Sequence, residues 1–257
     1  METLAIALLG FFAAGYFVLA GADIGTGMLM PYLGRTDRER RLVITSFAPF
    51  FLGNEVWLVA AAGLLVGCFP DLEGELLSAQ LVVVVPLLTG WIVRDMGLWL
   101  RAGAGRVRRL LCDGAVVCGS WTVALAWGWL LAALFSGAPG RPAGGAGALL
   151  TAAAVAALFA AHGLGFASAR LTGPPYERAR LLVGRTGSWR SFALTGVLMA
   201  ALPLVAGLSL PLADSAADGA TLGLLVPALL AVTPLLVAAQ VWSWHTFRHR
   251  VTRPSYL

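Results

Sequence analysis

Seven runs of mostly apolar residues, each about 20 residues or longer, dominate this chain and limit what it can fold into. They cover about residues 4–30, 42–69, 77–100, 110–136, 145–169, 189–211 and 220–245. A helix needs roughly 20 apolar residues to cross the hydrocarbon core of a bilayer. In lipid every backbone N–H and C=O must be satisfied within the protein, which leaves helices and closed barrels. The alternating pattern of barrel strands is not present in the sequence. The expected fold is therefore all-α, a polytopic transmembrane helical bundle of about seven spans. Of the 257 residues 59% are hydrophobic and only 12% charged, against about 25% charged in soluble domains. No room remains for a separate soluble domain, so 1–257 reads as a single integral-membrane domain. The Gly-rich loop at 137–147 offers a division into halves, 1–136 and 145–257, although no short repeat marks them.

The basic residues are all arginines, and the loops alternate in charge. Arg35, Arg38, Arg40 and Arg41 follow the first run, and Arg101, Arg106, Arg108 and Arg109 follow the third. Arg170, Arg178, Arg180, Arg185 and Arg190 follow the fifth, and Arg248, Arg250 and Arg253 follow the seventh. The intervening loops carry Asp71, Glu73 and Glu75, then Arg141 alone, then Asp214 and Asp218. The positive-inside rule places the N-terminus outside and the C-terminus in the cytoplasm. The net charge of +5 is thus a sign of orientation, and nucleic acid is excluded as the inferred partner. The N-terminus opens into an apolar run without a basic n-region and reads as a retained first span. Cys68, Cys112 and Cys118 have no metal-binding spacing and read as packing residues. No phosphate-binding loop, nucleophile elbow or zinc-protease motif occurs.

Ionisable groups at membrane depth cost roughly 3 kcal/mol or more and mark pathways or pairing sites. Asp23 falls near the cytoplasmic end of the first run. Glu55 falls about thirteen residues into the second, near mid-membrane at the rise of a helix. Asn54 is adjacent, but neighbouring helical residues point about 100° apart and need not share a partner. Arg94, in the inner half of the third run beside Asp95, is a candidate partner for Asp23 or Glu55. Each of these could instead be structural: a hydrogen bond that locks helices, a helix-end contact or a snorkelling side chain. His162 is the histidine well inside a span and the weak candidate for a metal or haem ligand. A hydrogen-bonded bundle histidine is the plainer reading, and Met28, Met30, Met96 and Met199 have no spacing that ties them to it. Gly25-x-Gly27 suits close helix packing. The tryptophans, most of them towards span ends, suit interfacial belts.

Three motifs carry a resemblance: Gly-x-Gly-Met-Leu at Gly25 to Leu29, Leu-Gly-Arg-Thr-Asp-x-Glu-Arg-Arg at Leu33 to Arg41, and Gly-Asn-Glu-Val-Trp-Leu at Gly53 to Leu58. Together they resemble subunit II of the cytochrome bd quinol oxidases. Likeness is strong over about residues 15–70 and weaker at Arg94, at His162-Gly163 and at Gln240 to Arg250. The resemblance implies a bacterial inner-membrane protein packed against a haem-bearing subunit I. Such a complex oxidises quinol, reduces oxygen to water and draws protons from the cytoplasm. It implies that haems b and d belong to the partner subunit and that this chain scaffolds it and helps to conduct protons. A bound quinone or lipid in this chain is compatible with it. Asp23, Asn54, Glu55 and Arg94 are the matched polar positions, and a proton relay using Asp23 and Glu55, steadied by Arg94, is the expectation they carry. Gly27, Arg35, Arg41, Gly53 and Trp57 are the matched structural ones.

Three departures accompany the likeness. The family commonly carries a Trp-Asp pair where this chain has Phe51-Leu52, and an earlier acid where it has Ala20. It typically has eight spans rather than seven. These departures imply a short, divergent member with an altered proton route. Two rivals therefore stand beside a proton-conducting subunit: a scaffold without a proton route, and a stand-alone membrane transporter or channel.

Overall fold

The computed structural model describes residues 1–184 and 187–254. Arg185, counted above among the loop arginines, lies outside the described residues. Every regular element among them is a helix, and seven of these are long and apolar enough to cross a membrane. These are α1 (Glu2–Met28), α4 (Phe51–Cys68), α6 (Leu81–Leu100), α7 (Arg106–Phe135), α8 (Gly145–Arg170), α10 (Ser188–Gly207) and α11 (Gly219–Thr246). Four shorter helices connect them: α2 (Met30–Leu33), α3 (Asp37–Phe47), α5 (Pro70–Ala79) and α9 (Gly173–Val183).

The second span is shorter than its apolar run suggests. Residues 42–47 belong to α3, an amphipathic connector, and the chain turns at Ala48–Phe50 before α4 begins. Pro49 lies in that turn, where its missing N–H and fixed φ favour a break. Glu55 is consequently in the second turn of its span rather than thirteen residues inside it. The third run is likewise divided, with α5 ending at Ala79 and α6 starting at Leu81. Thr36 starts α3 with a reciprocal capping box: its hydroxyl accepts from Glu39 N–H, and the Glu39 carboxylate accepts from Thr36 N–H.

Contacts between connectors define two ends of the bundle. At one end Arg101 and Arg109 meet Asp37, Arg178 meets Glu39, and Val251 N–H donates to the Arg170 carbonyl. At the other, Gln80 donates to the Pro139 and Arg141 carbonyls, Ser209 to Leu134, and Ala217 N–H to Cys68. The arginine-rich connectors thus gather at a single end, as alternation of seven spans requires.

Helix α1 is central and packs on α4, α7, α8 and α10. Small residues allow the closest approaches, the general device for helices in lipid. A Cβ at Gly25 would strike the Phe159 carbonyl, and one at Gly163 would strike the Gly25 backbone, so α1 and α8 cross there backbone to backbone. Thr26 reinforces the crossing by donating to the Gly163 carbonyl at 3.2 Å. Gly27 lies against Ser120 of α7, where a Cβ has no room. Phe12, Phe17, Phe159 and Leu131 build one apolar core, and Phe47, Phe50, Phe51 and Phe166 build another nearer the arginine-rich end. Helices α10 and α11 keep most of their surface exposed.

Candidate functional site: a buried arginine–carboxylate network

Three spans, α1, α4 and α6, converge on one guanidinium. Arg94, on α6, is 1% exposed. Its Nη2 donates to Asp23 Oδ1 of α1 at 2.6 Å. Its Nη1 donates to Asp95 Oδ1 at 2.9 Å and lies 3.6 Å from Glu55 Oε1 of α4. The ring centroids of Phe47 and Phe51 lie 5.9 and 5.8 Å from the guanidinium carbon. These rings exclude water from the pair and offer weak cation–π attraction in its place.

The network continues from Asp23 away from Arg94. Asn54, in the first turn of α4, donates to Asp23 Oδ2 at 2.9 Å and to the Leu19 carbonyl at 3.0 Å. Its own carbonyl accepts from Gln240 Nε2 of α11 at 2.9 Å. Trp57 Nε1 completes the arrangement by donating to Gln240 Oε1 at 3.4 Å. The Trp57 ring covers Gly15 and packs on Phe11 and Phe12. A Cβ at Gly53 would lie 3.5 Å from Gln240 Oε1, an ordinary contact, so Gly53 faces α11 without its small size being required there.

The two sides of Arg94 differ in access. The Asp23 side chain is 3% exposed, whereas Glu55 and Asp95 are 16% and 21% exposed. Trp91, one turn before Arg94 on α6, donates its indole N–H to Glu55 Oε1 at 2.7 Å. One face is a sealed ion pair, and the other is a pair of carboxylates at the protein surface. Arginine keeps its proton and cannot pass it on, so Arg94 orients the acids without linking them as a relay.

A second ionic cluster ties the connectors together. Arg101 Nε donates to Asp113 Oδ1 at 2.6 Å and its Nη2 to Asp37 Oδ1 at 2.9 Å. Arg40 and Arg109 add bonds to Asp113 and Asp37, each at 3.2 Å. Glu39 receives Arg178 at 2.8 Å. The Arg178 hydrogen bond, aided by the Arg35 and Thr36 N–H groups, holds the Glu39 carboxyl down at about 2 against the opposing effect of burial. The same bond raises the Arg178 guanidinium further.

Asp23, Asn54, Glu55 and Arg94 are therefore brought together, with Trp57 and Gly53 beside them. Gly27, Arg35 and Arg41 are elsewhere. Arg35 is exposed and its N–H donates to Glu39. The Arg41 carbonyl accepts from Thr45 Oγ1. His162 is fully buried, with Nε2 2.8 Å from the Val18 carbonyl and Nδ1 2.8 Å from Thr195 Oγ1. Both ring nitrogens are engaged and Phe192 stacks on the ring at 4.6 Å, so this packing leaves no nitrogen for an iron. A haem does not fit at this histidine.

Gln240, Trp91 and Asp95 belong to the network without having been singled out for it. A lone amide inside the apolar run Leu235–Trp242 was a signal for Gln240. The i, i+3 spacing of Trp91 and Arg94 was one for the indole.

Fold and network together define a multi-pass helical membrane protein with a charged cluster among its spanning helices. The family model for cytochrome bd terminal oxidase subunit II matches residues 1–213. The chain belongs to that family. It is 35% identical over 133 residues to cytochrome bd-I ubiquinol oxidase subunit 2 of Escherichia coli (strain K12), a match covering 51% of this chain and 35% of that one. It is 32% identical over 126 residues to cytochrome bd ubiquinol oxidase subunit 2 of Bacillus subtilis (strain 168), covering 49% and 37%. These matches span little more than a third of the relatives' length.

Proposed function

We propose that this chain acts as subunit II of a cytochrome bd-type quinol:oxygen oxidoreductase, a multi-pass protein of the bacterial inner membrane. In this reading it packs against a haem-bearing subunit I that holds haems b and d, and it contributes no haem ligand of its own. Its N-terminus faces outside and its C-terminus the cytoplasm, in keeping with the gathering of arginine-rich connectors at one end. The chain works as one integral-membrane unit, its halves 1–136 and 145–257 joined through α1, α7 and α8. Family membership supports this assignment.

Within the complex, the Glu55–Asp95 pair holds and passes protons, while Arg94 and Asp23 anchor it. The supporting observation is the convergence of both acids on Arg94 Nη1, at 3.6 and 2.9 Å, on a partly open face. Carboxylates in excess of the cation they share can hold a proton, and relay work needs groups within hydrogen-bond reach. Asp23 serves the relay by fixing Arg94 rather than by carrying the proton. The groove of about 750 Å³ between α1, α4, α10 and α11, lined in part by Val18, Trp57, Val237 and Gln240, supports a bound quinone or lipid tail.

The scaffold reading has its own support. Phe51 packs against Arg94, and Ala20 is buried where the family resemblance places an acid. One experiment separates the two. Glu55→Gln and Asp95→Asn are introduced into the assembled oxidase, and quinol-driven oxygen consumption is measured beside haem content. Lower turnover at unchanged haem content supports the relay. Unchanged turnover defeats it and leaves the scaffold. Stable haem-free oligomers of this chain alone, from cells expressing a bd oxidase, would instead favour a transporter.

A further inference from the structure

A cavity of about 310 Å³ opens between the start of α3 and the start of α7, at the arginine-rich end. Arg35, Arg40, Arg106 and Arg109 line it, against Asp37 and Asp113. Both acids are already engaged: Asp113 by Arg101 and Arg40, Asp37 by Arg101 and Arg109. Arg35 and Arg106 are exposed, and neither has an ion-pair partner among the described residues. The lining is thus positive, and its two unengaged guanidinium groups are free to bind. Guanidinium forks match phosphate oxygens in geometry and charge. The α7 N-terminus adds backbone donors, because Gly105 provides no side-chain cap.

The surroundings indicate which kind of phosphate. Val107, Leu110 and Leu111, on the first turns of α7, are 71%, 52% and 70% exposed, and Leu110 lines the cavity itself. A basic cavity that adjoins an exposed apolar strip on a membrane-spanning helix fits both parts of a lipid. We propose that this cavity binds the headgroup phosphate of an anionic phospholipid, with its acyl chains along the first turns of α7. The ion pairs of Asp37 and Asp113 preorganise the cavity by holding α3, α6 and α7 together. The bound lipid then adds a bridge between Arg35 on the α3 side and Arg106 on α7. This site is separate from the Arg94 network and does not depend on the oxidase assignment.

The test uses the full chain, purified in mild detergent with whatever partners accompany it. Phosphatidylglycerol, phosphatidylcholine and inorganic phosphate are titrated at constant ionic strength, and bound lipid is counted by native mass spectrometry. Phosphatidylglycerol should bind, and the double variant Arg35→Ala/Arg106→Ala should weaken that binding roughly ten- to thirtyfold, as expected for two surface arginines. Arg35→Lys/Arg106→Lys should retain most of it. Equal binding by wild type and the double alanine variant would overturn the proposal. Displacement of the lipid by inorganic phosphate at equal concentration would reassign the cavity to a free anion and overturn the lipid assignment. Should the alanine variant fail to assemble, a photoreactive phosphatidylglycerol decides with wild-type protein. Crosslinks within residues 106–111 support the site, and crosslinks confined elsewhere overturn it.

Discussion

Arg94 and Asp23 are 71 residues apart in sequence, yet their side chains meet at 2.6 Å and are each almost fully buried. Each makes the other tolerable, because a lone charge at that depth is costly. The pair joins α1 to α6, two spans that share few other contacts. This explains why a cation persists in so largely apolar a helix.

Removing the cation should be harsher than removing both charges. Arg94→Gln leaves Asp23 buried without its counter-charge, a loss of about 3–5 kcal/mol. Asp23→Asn/Arg94→Gln should recover much of this. Thermal melting of the detergent-purified protein measures it. A double variant as unstable as the sum of the singles would show that the two residues are not coupled.

The amide chain from α11 should act as a smaller fastener. Gln240→Leu removes the donor to Asn54 and the acceptor of Trp57, leaving two buried groups unpaired. Interhelical hydrogen bonds in membranes are worth about 0.6 kcal/mol and rarely above about 2. A double-mutant cycle of Gln240→Leu with Asn54→Leu should return a coupling of that size. Zero coupling would mean that α11 is held by apolar packing alone.

Backbone contact at the α1–α8 crossing leaves no space for a methyl group. Gly25→Ala should destabilise by about 1–3 kcal/mol or prevent assembly. Gly74→Ala, at a position with open space around it, should be close to neutral. Expression yield and melting temperature of the two variants make the comparison. Equal behaviour would refute the close crossing.

Acid should loosen the arginine-rich end by way of Glu39. Its carboxyl sits at about 2 in the folded protein against 4.5 for the free group. The depressed value means that its contribution is fully present above 4.5 and is lost as pH falls through about 2. Stability of wild type relative to Glu39→Gln should therefore shrink as pH falls from 4.5 towards 2. A constant difference across that window would rule out the Arg178 bond as its source.

Much of the architecture was legible in the residues themselves. Seven apolar runs became seven long helices, because a backbone in lipid has one local way to satisfy its hydrogen bonds. The alternation of arginine-rich loops anticipated which connectors share an end. The Thr36–Glu39 spacing within the motif at Leu33 to Arg41 produced a capping box, a contact that depends only on neighbours. The boundary of the second span was less legible. The apolar character of residues 42–47 hid the turn at Pro49, so Glu55 looked deeper than it is.

The sequence by itself determined the spanning helices, their number and the polar residues that had to find partners. Tertiary structure alone decided who those partners are. Arg94 could have paired with Asp23 or with Glu55; the packing gives it both, and Asp95 as well. Gln240 reaches Asn54 across 186 residues, a contact that depends on how α11 is rotated against α4. His162 could have offered a ligand, but the approach of Val18 and Thr195 occupies both its nitrogens. Helix formation depends on bonds four residues apart, whereas pairing in the bundle depends on the rotation and crossing of whole helices. Those are set by where the glycines let the backbones meet.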